Sequence, residues 1–519
     1  MHYFRKLNEN YYIYTILIFI FIPLNFIPQL FDGVTFDYSY EIGDITGLEL
    51  WYKEFSRHVH LLIIYFVYFL TKYTQLSAEI FIDNLTIIFL ILFCIEVKKY
   101  SKLLFQLENK WCNLAALFTA IFPVWHTLVA FDINLYLISI YFLFFGYRNF
   151  IKKKKINILI GIVFIILSFD LQTNLSFIVG LAIVHLLLNK ANNTNFFSAY
   201  KLIIIIVICV AYYFIKQLYF PTSGQWVGYH TIPWGNFAEN IIDIKLIKNI
   251  LNYSTYLFLY LWIPLIFVLH LLFINKNNFP KIKLIFMQKF SFKCITNYLL
   301  LIILSGFAIF PYLLANKSSS ILYLSDYYQR HAFLLAPISG MFFSILFRDM
   351  AKINCLQNKV NLNFYLIIFI GIHLILLNYG NYRKAESYLF RKNLINELKA
   401  FGPIPKGYVQ FIGKNFPADL RLYEVNHLLY KAYNIAGWRG STNSSGIGST
   451  NLSEPYINIL PNLENDERHS ILMISNEYKY ECNTYIYIKN DLKKYERMKK
   501  FYIFNYKKNY NIDKVIKKC

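Results

Sequence analysis

Charge is scarce in this chain. Only 16% of its 519 residues are Asp, Glu, Lys or Arg, against about 25% in a typical soluble protein, and 57% are hydrophobic. That shortage, with a mean hydropathy of +0.39, excludes a soluble enzyme of this size and leaves an integral membrane protein. Nucleotide and hydrolase signatures are missing too. There is no Walker loop, G-x-G-x-x-G turn or G-x-S-x-G elbow, so nucleotide-driven and serine-hydrolase readings lack sequence support. The seven cysteines are scattered without C-x-x-C spacing, which removes a zinc site or a disulfide framework; only Cys482 and Cys519 share a polar region. No internal repeat or low-complexity linker is present.

What is present is a series of apolar runs. They fall near residues 11–30, 79–97, 112–130, 132–147, 156–170, 175–189, 201–218, 252–274, 297–314, 332–347 and 362–379, each near the roughly 17–25 residues of a membrane-spanning helix. The pattern predicts an α-helical polytopic protein of about eleven spans. The first run follows a basic Met1–Lys6, but it is long, aromatic and lacks a small-residue cleavage site, so it reads as a span and not as a signal peptide.

The net charge of +22 invites a nucleic-acid partner, yet the basic residues are placed for a membrane and no nucleic acid is expected. Arg5 and Lys6, Lys98, Lys99 and Lys102, Arg148 with Lys152–Lys155, Lys190, Lys276 with Lys281 and Lys283, and Arg348 with Lys352 lie in short connections. They share the cytoplasmic side provided that Leu61–Leu70 lies in the interface and does not cross, as its ten-residue apolar length suggests. The loops 31–60, 219–248 and 315–331 and the turns at Asp132 and Asp170 then face outward.

From residue 381 the composition turns polar. Residues 381–519 contain no spanning run, and β-rich stretches at 407–412, 471–474 and 485–488 alternate with a helical stretch at 418–436. This predicts a small extracytoplasmic α/β domain after a membrane domain of residues 1–380. Its Lys-rich end, 489–518, runs against the positive-inside tendency, which long translocated domains do not obey.

The acids are concentrated. Asp32, Asp37, Glu41, Asp44, Glu49 and Glu54 follow directly on the first run, and carboxylates crowded where membrane meets water suit chemistry on a lipid-borne substrate. The stretch from Phe31-Asp32 to Glu41, then Trp51 and Arg57-His58-Val-His60 leading into Leu61–Leu70, resembles the first outer loop of the GT-C superfamily of integral membrane glycosyltransferases. Protein O-mannosyltransferases and the lipid A aminoarabinose transferase belong to that superfamily. The resemblance covers about the first 150 residues and the remainder in outline. Here Asp32-Gly33 stands where the family usually carries an acidic pair.

Such enzymes, the resemblance implies, move a sugar from a polyprenyl-phosphate-linked donor to a glycan, lipid or protein acceptor. The acceptor hydroxyl then needs a base, for which Asp32 is the first candidate and Asp37 and Glu41 the next. Asp44, Asp132 and Asp170 are candidates to orient the acceptor or to hold a divalent cation, Mg or Mn, through hard oxygen ligands. The leaving phosphate calls for positive charge and donors, for which Arg57, His58, His60, Tyr328, Arg330 and His331 are candidates. For every one of these residues a solvated loop or an interfacial anchor is the plain alternative. His126, His185, His270 and His373, within apolar runs, read as packed helix residues. Aromatic residues around Trp226 and Trp234 suit either a sugar ring or the interfacial belt. The layout predicts a plasma or bacterial inner membrane protein with its N-terminus in the cytoplasm. Two competitors are an O-antigen-type polysaccharide polymerase or ligase, which would carry paired arginines in a large outer loop, and a lipid-linked-sugar flippase, which would carry broken helix pairs and midplane charge.

Overall fold

The structure, a computed structural model, describes residues 52–74, 78–129, 131–192, 198–223, 246–256, 292–315, 319–323, 327–354, 362–402, 408–413, 439–442, 483–490 and 510–518, with a few single positions besides. Asp32, Asp37, Glu41 and Asp44 lie outside these residues, as do Trp226, Trp234 and His270. The described residues are mostly helical. The chain divides into two compact units, the first containing Trp51–Asn381 and the second Tyr382–Cys519.

The first unit is built from α1 (His58–Thr74), α2 (Ala78–Phe105), α3 (Asn109–Ala120), a 3-10 segment Pro123–Val129, α4 (Phe131–Phe150), α5 (Lys155–Ser168), α6 (Thr173–Asn192) and α7 (Ala199–Tyr219). After a helical stretch at 246–256 follow α8 (Phe292–Leu314), two further 3-10 segments, Ile321–Tyr323 and Tyr327–Ala332, α9 (Leu335–Asn354) and α10 (Leu362–Phe401). Among the described residues three stretches are long and apolar enough to cross a membrane: Ala199–Tyr219, Ile295–Leu314 and Asn363–Gly380. Their outward residues are apolar, Ile203, Val207, Phe214 and Leu218 on α7 and Ile367 and Ile375 on α10 among them. Polar side chains such as His60, Thr119, Asn174 and His373 are buried instead. An apolar exterior around a polar-studded interior is the arrangement that lipid, and not water, favours.

Ring contacts and polar bonds fix which helix ends lie together. Phe89 packs on Tyr141 and Phe93 on Phe144 at centroid distances of 5.3 and 5.2 Å, so α2 and α4 run parallel. Where α2 nears its end, Glu96 accepts bonds from Arg148 Nε at 2.5 Å, Arg148 Nη2 at 3.1 Å and Lys99 Nζ at 2.8 Å. Lys201 Nζ, at the start of α7, donates to the Ile151 carbonyl at 2.7 Å. These contacts define a basic end. The opposite, polar end holds His60, Asp170, Tyr136 and Tyr312, joined by bonds described below.

The α2/α4 register sets Ala78 level with the start of α4. Thr74, the last residue of α1, is four residues away, hence within about 15 Å at the spacing of consecutive Cα atoms. His60, in the first turn of α1, bonds Ser139 of α4. Helix α1 therefore begins and ends at the polar end, although its 17 residues would reach about 25 Å if directed across. Its outward residues Leu62, Phe66, Phe69 and Tyr73 are all more than half exposed, one apolar stripe spaced for a single helix face.

Two crossings depend on glycine. A Cβ on Gly161 would stand 2.4 Å from the Phe150 backbone nitrogen and 2.8 Å from the Gly146 oxygen, and a Cβ on Gly340 would stand 2.3 Å from the Ala115 oxygen. The close approaches of α4 to α5 and of α3 to α9 thus need a residue without a side chain, the small-residue device of helix packing in lipid.

Several local assignments differ from the sequence reading. Lys98 and Lys99 fall inside α2 and not in a turn, because the helix runs on to Phe105. Asp132 falls in the first turn of α4, its side chain outside the described atoms. The run 112–130 divides into α3 and a 3-10 segment where Pro123 interrupts the helical ladder. Helix α10 passes the expected boundary near 380 and continues to Phe401. In the second unit β1 (Tyr408–Gly413), β2 (Arg439–Thr442), β3 (Asn483–Asn490) and β4 (Tyr510–Lys518) form a sheet in the order β2-β1-β3-β4. β1 pairs parallel with β2 and β3, and β3 pairs antiparallel with β4. β1 and β3 coincide with two of the expected β-rich runs, whereas β4 lies in the Lys-rich end, where charge hides its alternation.

Candidate functional site

The polar end begins with a turn. Ser56 adopts the left-handed conformation, φ 55°, an uncommon choice for a residue with a Cβ that persists only where the surroundings impose it. Ser56 Oγ donates to the Phe220 carbonyl at 2.6 Å and the Ser223 amide donates to the Glu54 carbonyl at 3.0 Å. These two bonds clasp the approach to α1 onto the end of α7, and the His58 ring packs edge-on to Phe220 at 4.9 Å.

From this clasp Arg57 points inward. Its guanidinium lies over the rings of Phe55 and Tyr136, at 4.0 and 4.8 Å, and Nη2 donates to the Tyr136 hydroxyl at 2.8 Å. Asp170 sits in the turn between α5 and α6, where Oδ2 accepts the His60 amide N–H at 2.9 Å. That amide is one of the unpaired donors of the α1 N-terminus, and a carboxylate there also faces the positive end of the helix dipole. The His60 imidazole approaches Ser139 Oγ through Nε2 at 2.9 Å, with Nδ1 3.9 Å from Asp170 Oδ2.

A second cation completes the group. Lys216, one turn before the end of α7, is only 4% exposed, and among the described residues its ammonium has no hydrogen-bond partner. Arg57, Lys216 and Asp170 are each buried, so charges of both signs share a region of low dielectric. Burial raises the Asp170 carboxyl above the usual carboxylate range, against the pull of Lys216, the His60 amide and Arg57. Burial, then the repulsion of Arg57 and Lys216, holds the His60 imidazole well below its ordinary value. His58 is lowered by partial burial, with Asp170 opposing.

A neutral polar zone adjoins. The Tyr312 hydroxyl is within electrostatic reach of Tyr136, Arg330 and Arg57 and bonds Thr173 Oγ1 at 3.5 Å, while the His331 ring lies 4.6 Å from the Tyr312 ring. The Tyr256 hydroxyl meets Ser319 Oγ and Gln329 Oε1, each at 2.8 Å, and Gln329 Nε2 bonds the Ser320 carbonyl. The 3-10 segment that carries Arg330 and His331 is thereby pinned to the 246–256 stretch.

Of the sequence-derived candidates, the fold brings Arg57, His58, His60 and Asp170 together and sets Arg330 and His331 beside them across Tyr312. Tyr328 lies on the same 3-10 segment; its side chain is outside the described atoms. Lys216, Tyr136, Ser139, Tyr312 and Gln329 escaped the sequence reading. Only Lys216 left a signal there, as a lone cation in the apolar run 201–218. His126, His185 and His373 are buried and bond Pro123 O, Tyr147 Oη and Phe369 O, respectively, at 2.7, 3.1 and 3.0 Å. Cys94, Cys112 and Cys209 are buried free thiols. Among the described residues no group of three His, Cys, Asp or Glu side chains is arranged to hold a metal. Asp170, engaged by the His60 amide and flanked by two cations, is poorly suited to a divalent cation. No protein-family model, curated protein or solved structure matches the chain.

Proposed function

We propose that the protein is a polytopic membrane glycosyltransferase of GT-C type that takes a sugar from a polyprenyl-phosphate-linked donor. The observation that carries this reading is the buried Lys216 ammonium at the polar end, which has no hydrogen-bond partner among the described residues. An ammonium taken out of water without a partner costs several kcal/mol, and a site keeps one when an anion is to be held there. The lipid phosphate fits this role: it sits at the membrane surface, and Arg57 and Lys216 offer it a planar fork and a point charge. The neutral polar zone around Tyr312, Tyr256 and Gln329 suits a hydroxyl-rich sugar next to that phosphate.

In this reading the protein has about eleven spans, and the polar end faces away from the cytoplasm. The collection of Arg148, Lys99 and Lys201 at the opposite end supports that orientation. Residues 381–519 form an extracytoplasmic α/β domain that meets the acceptor. The base remains an acid of the first loop, with Asp32 first and Asp37 and Glu41 next, and a divalent cation is not required. A second reading is a polysaccharide polymerase or ligase using a lipid diphosphate, for which Arg57 and Arg330, both within electrostatic range of Tyr312, would supply two cations.

The test is direct binding. The purified protein in detergent should bind a polyprenyl-phosphate-linked sugar, and Arg57→Gln should weaken that binding by about tenfold or more, the range of one charge-assisted hydrogen bond. Equal affinity for the corresponding uncharged polyprenol would refute a phosphate site.

A further inference from the structure

The turn between α4 and α5 carries four consecutive lysines, Lys152–Lys155, and all four are exposed. More cations gather behind it. Lys152 Nζ donates to Asn149 Oδ1 at 2.7 Å, and Lys201 Nζ, from the start of α7, donates to the Ile151 carbonyl at 2.7 Å. The Lys152 ammonium is held below its ordinary value by partial burial and then by the repulsion of Arg148 and Lys99, with Glu96 opposing. Glu96 is itself bonded to Arg148 and Lys99, and among the described residues no carboxylate pairs with Lys152–Lys155. Nor do the lysines serve α5, which they precede and open, because positive charge there opposes the helix dipole. The helix that follows is apolar on its outward side. Ile156, Leu159, Val163 and Ile166 share one face at helical spacing and are 40–60% exposed, while Gly161 on the other face packs on Gly146 and Phe150 of α4. From Ile156 to Val163 the stripe runs about 10 Å along the axis. Tyr200, next to Lys201 and exposed, is the kind of side chain that lies at headgroup level.

We infer that the turn between α4 and α5 and the outward face of α5 form a binding site for an anionic glycerophospholipid, its headgroup on Lys152–Lys155 and its acyl chains along Ile156, Leu159 and Val163. The two parts of the surface together select this class of ligand. A nucleic acid or an acidic protein would satisfy the lysines and leave the apolar stripe uncovered, and a zwitterionic lipid would cover the stripe and leave the lysines without a counter-charge. Only a molecule with a net negative head joined to hydrocarbon answers both. Basic clusters of this size at a membrane surface attract anionic lipid by about fivefold per lysine. Ammonium groups act as point charges with rotatable donors, and not as a rigid fork, so the site discriminates by headgroup charge more than by headgroup shape.

This site does not depend on the glycosyl-transfer reading, and it lies at the end opposite Arg57 and Lys216. The experiment titrates the full-length protein, in a non-ionic detergent, with phosphatidylglycerol, with phosphatidylcholine of the same acyl chains and with glycerol 1-phosphate, and follows retained ligand by native mass spectrometry. Phosphatidylglycerol should bind at least tenfold more tightly than phosphatidylcholine, and glycerol 1-phosphate should not be retained at the same concentrations. The combined variant Lys153→Gln, Lys154→Gln, Lys155→Gln changes exposed side chains only and should melt as the wild type does, with its affinity for phosphatidylglycerol lowered about 100-fold. Lys216→Met should leave that lipid bound. Equal binding of the two lipids by the wild type, or wild-type affinity for phosphatidylglycerol in the triple variant, would mean that the lysines act only in setting topology, and the inference is overturned. Glycerol 1-phosphate held as firmly as the lipid would reduce the site to one for free anions, and loss of phosphatidylglycerol in Lys216→Met alone would move the anion to the polar end; each of these results also refutes it.

Discussion

Replacing Lys216 by Met separates a binding residue from a structural one, because the two roles predict opposite effects on stability. The two side chains are similar in length and unbranched, so the packing around the end of α7 is kept and only the charge is removed. In the free protein the change removes a buried ammonium that has no hydrogen-bond partner among the described residues. Removing an ammonium that is held out of water without a hydrogen-bond partner relieves a desolvation cost of several kcal/mol, less its attraction to Asp170, so the variant should be neutral or more stable by about 1–4 kcal/mol. With an unfolding entropy of about 2.1 cal/mol/K per residue over a unit of this size, the gain appears as a rise in Tm of roughly 1–5 °C. Lipid phosphate binding should move the other way. Losing one charge-assisted hydrogen bond, about 1.5–3 kcal/mol, weakens affinity about 10- to 150-fold. At a lipid concentration about 100 times the wild-type Kd, bound donor stabilises the wild type by about 2.7 kcal/mol, and a variant weakened 100-fold gains only about 0.4 kcal/mol. The assay is a thermal melt in detergent with and without polyprenyl phosphate. A variant that is less stable without lipid and gains as much from lipid as the wild type would show that Lys216 serves the fold, and the anion site would have to be abandoned.

Two further outcomes follow from buried charge. Glu96→Gln leaves Arg148 without its carboxylate partner at the basic end and should cost about 3 kcal/mol of stability, read as the midpoint of unfolding in detergent; a loss no greater than that of an exposed pair, under about 1 kcal/mol, would mean that water reaches the pair. The His60 imidazole is held below its unfolded value, so the folded state binds fewer protons than the unfolded one. Stability is therefore whole above the unfolded pKa, near 6.5, and falls as acid protonates the unfolded chain, by at most about 1.4 kcal/mol per pH unit from this residue. A His60→Gln variant should lose that share of the slope between pH 6.5 and 5, and an unchanged slope would assign it to other groups.

Periodicity and length made the helices legible, because a hydrophobic run of the right length has few alternatives in lipid. The stretches that form α4 to α8 lie within a few residues of the runs read from sequence. The site was less legible because its bonds are long in sequence. Arg57 and Tyr136 are 79 residues apart, as are His60 and Ser139, and His60 and Asp170 are separated by 110. Ser139 in an apolar run looks like any small helix residue, and only the arrival of His60 gives it a partner. Charged residues could be picked out singly by their scarcity, whereas neutral hydroxyl and amide groups such as Tyr256, Ser319 and Gln329 carry no signal until they meet.

The clasp formed by Ser56 and Ser223 bears on selectivity. Arg57 leaves the chain directly after Ser56, and Lys216 lies one turn before Phe220, whose carbonyl Ser56 holds. The backbone positions from which the two cations extend are thus fixed by the clasp and by helix register. A fixed gap between charges works as a gauge: it favours an anion whose oxygens span that gap, and a smaller or larger one must leave a cation partly unsatisfied. Discrimination between lipid phosphates would then reside in a serine that touches neither the sugar nor the phosphate, and loosening that turn should broaden the range of anions accepted before it lowers affinity for the best one.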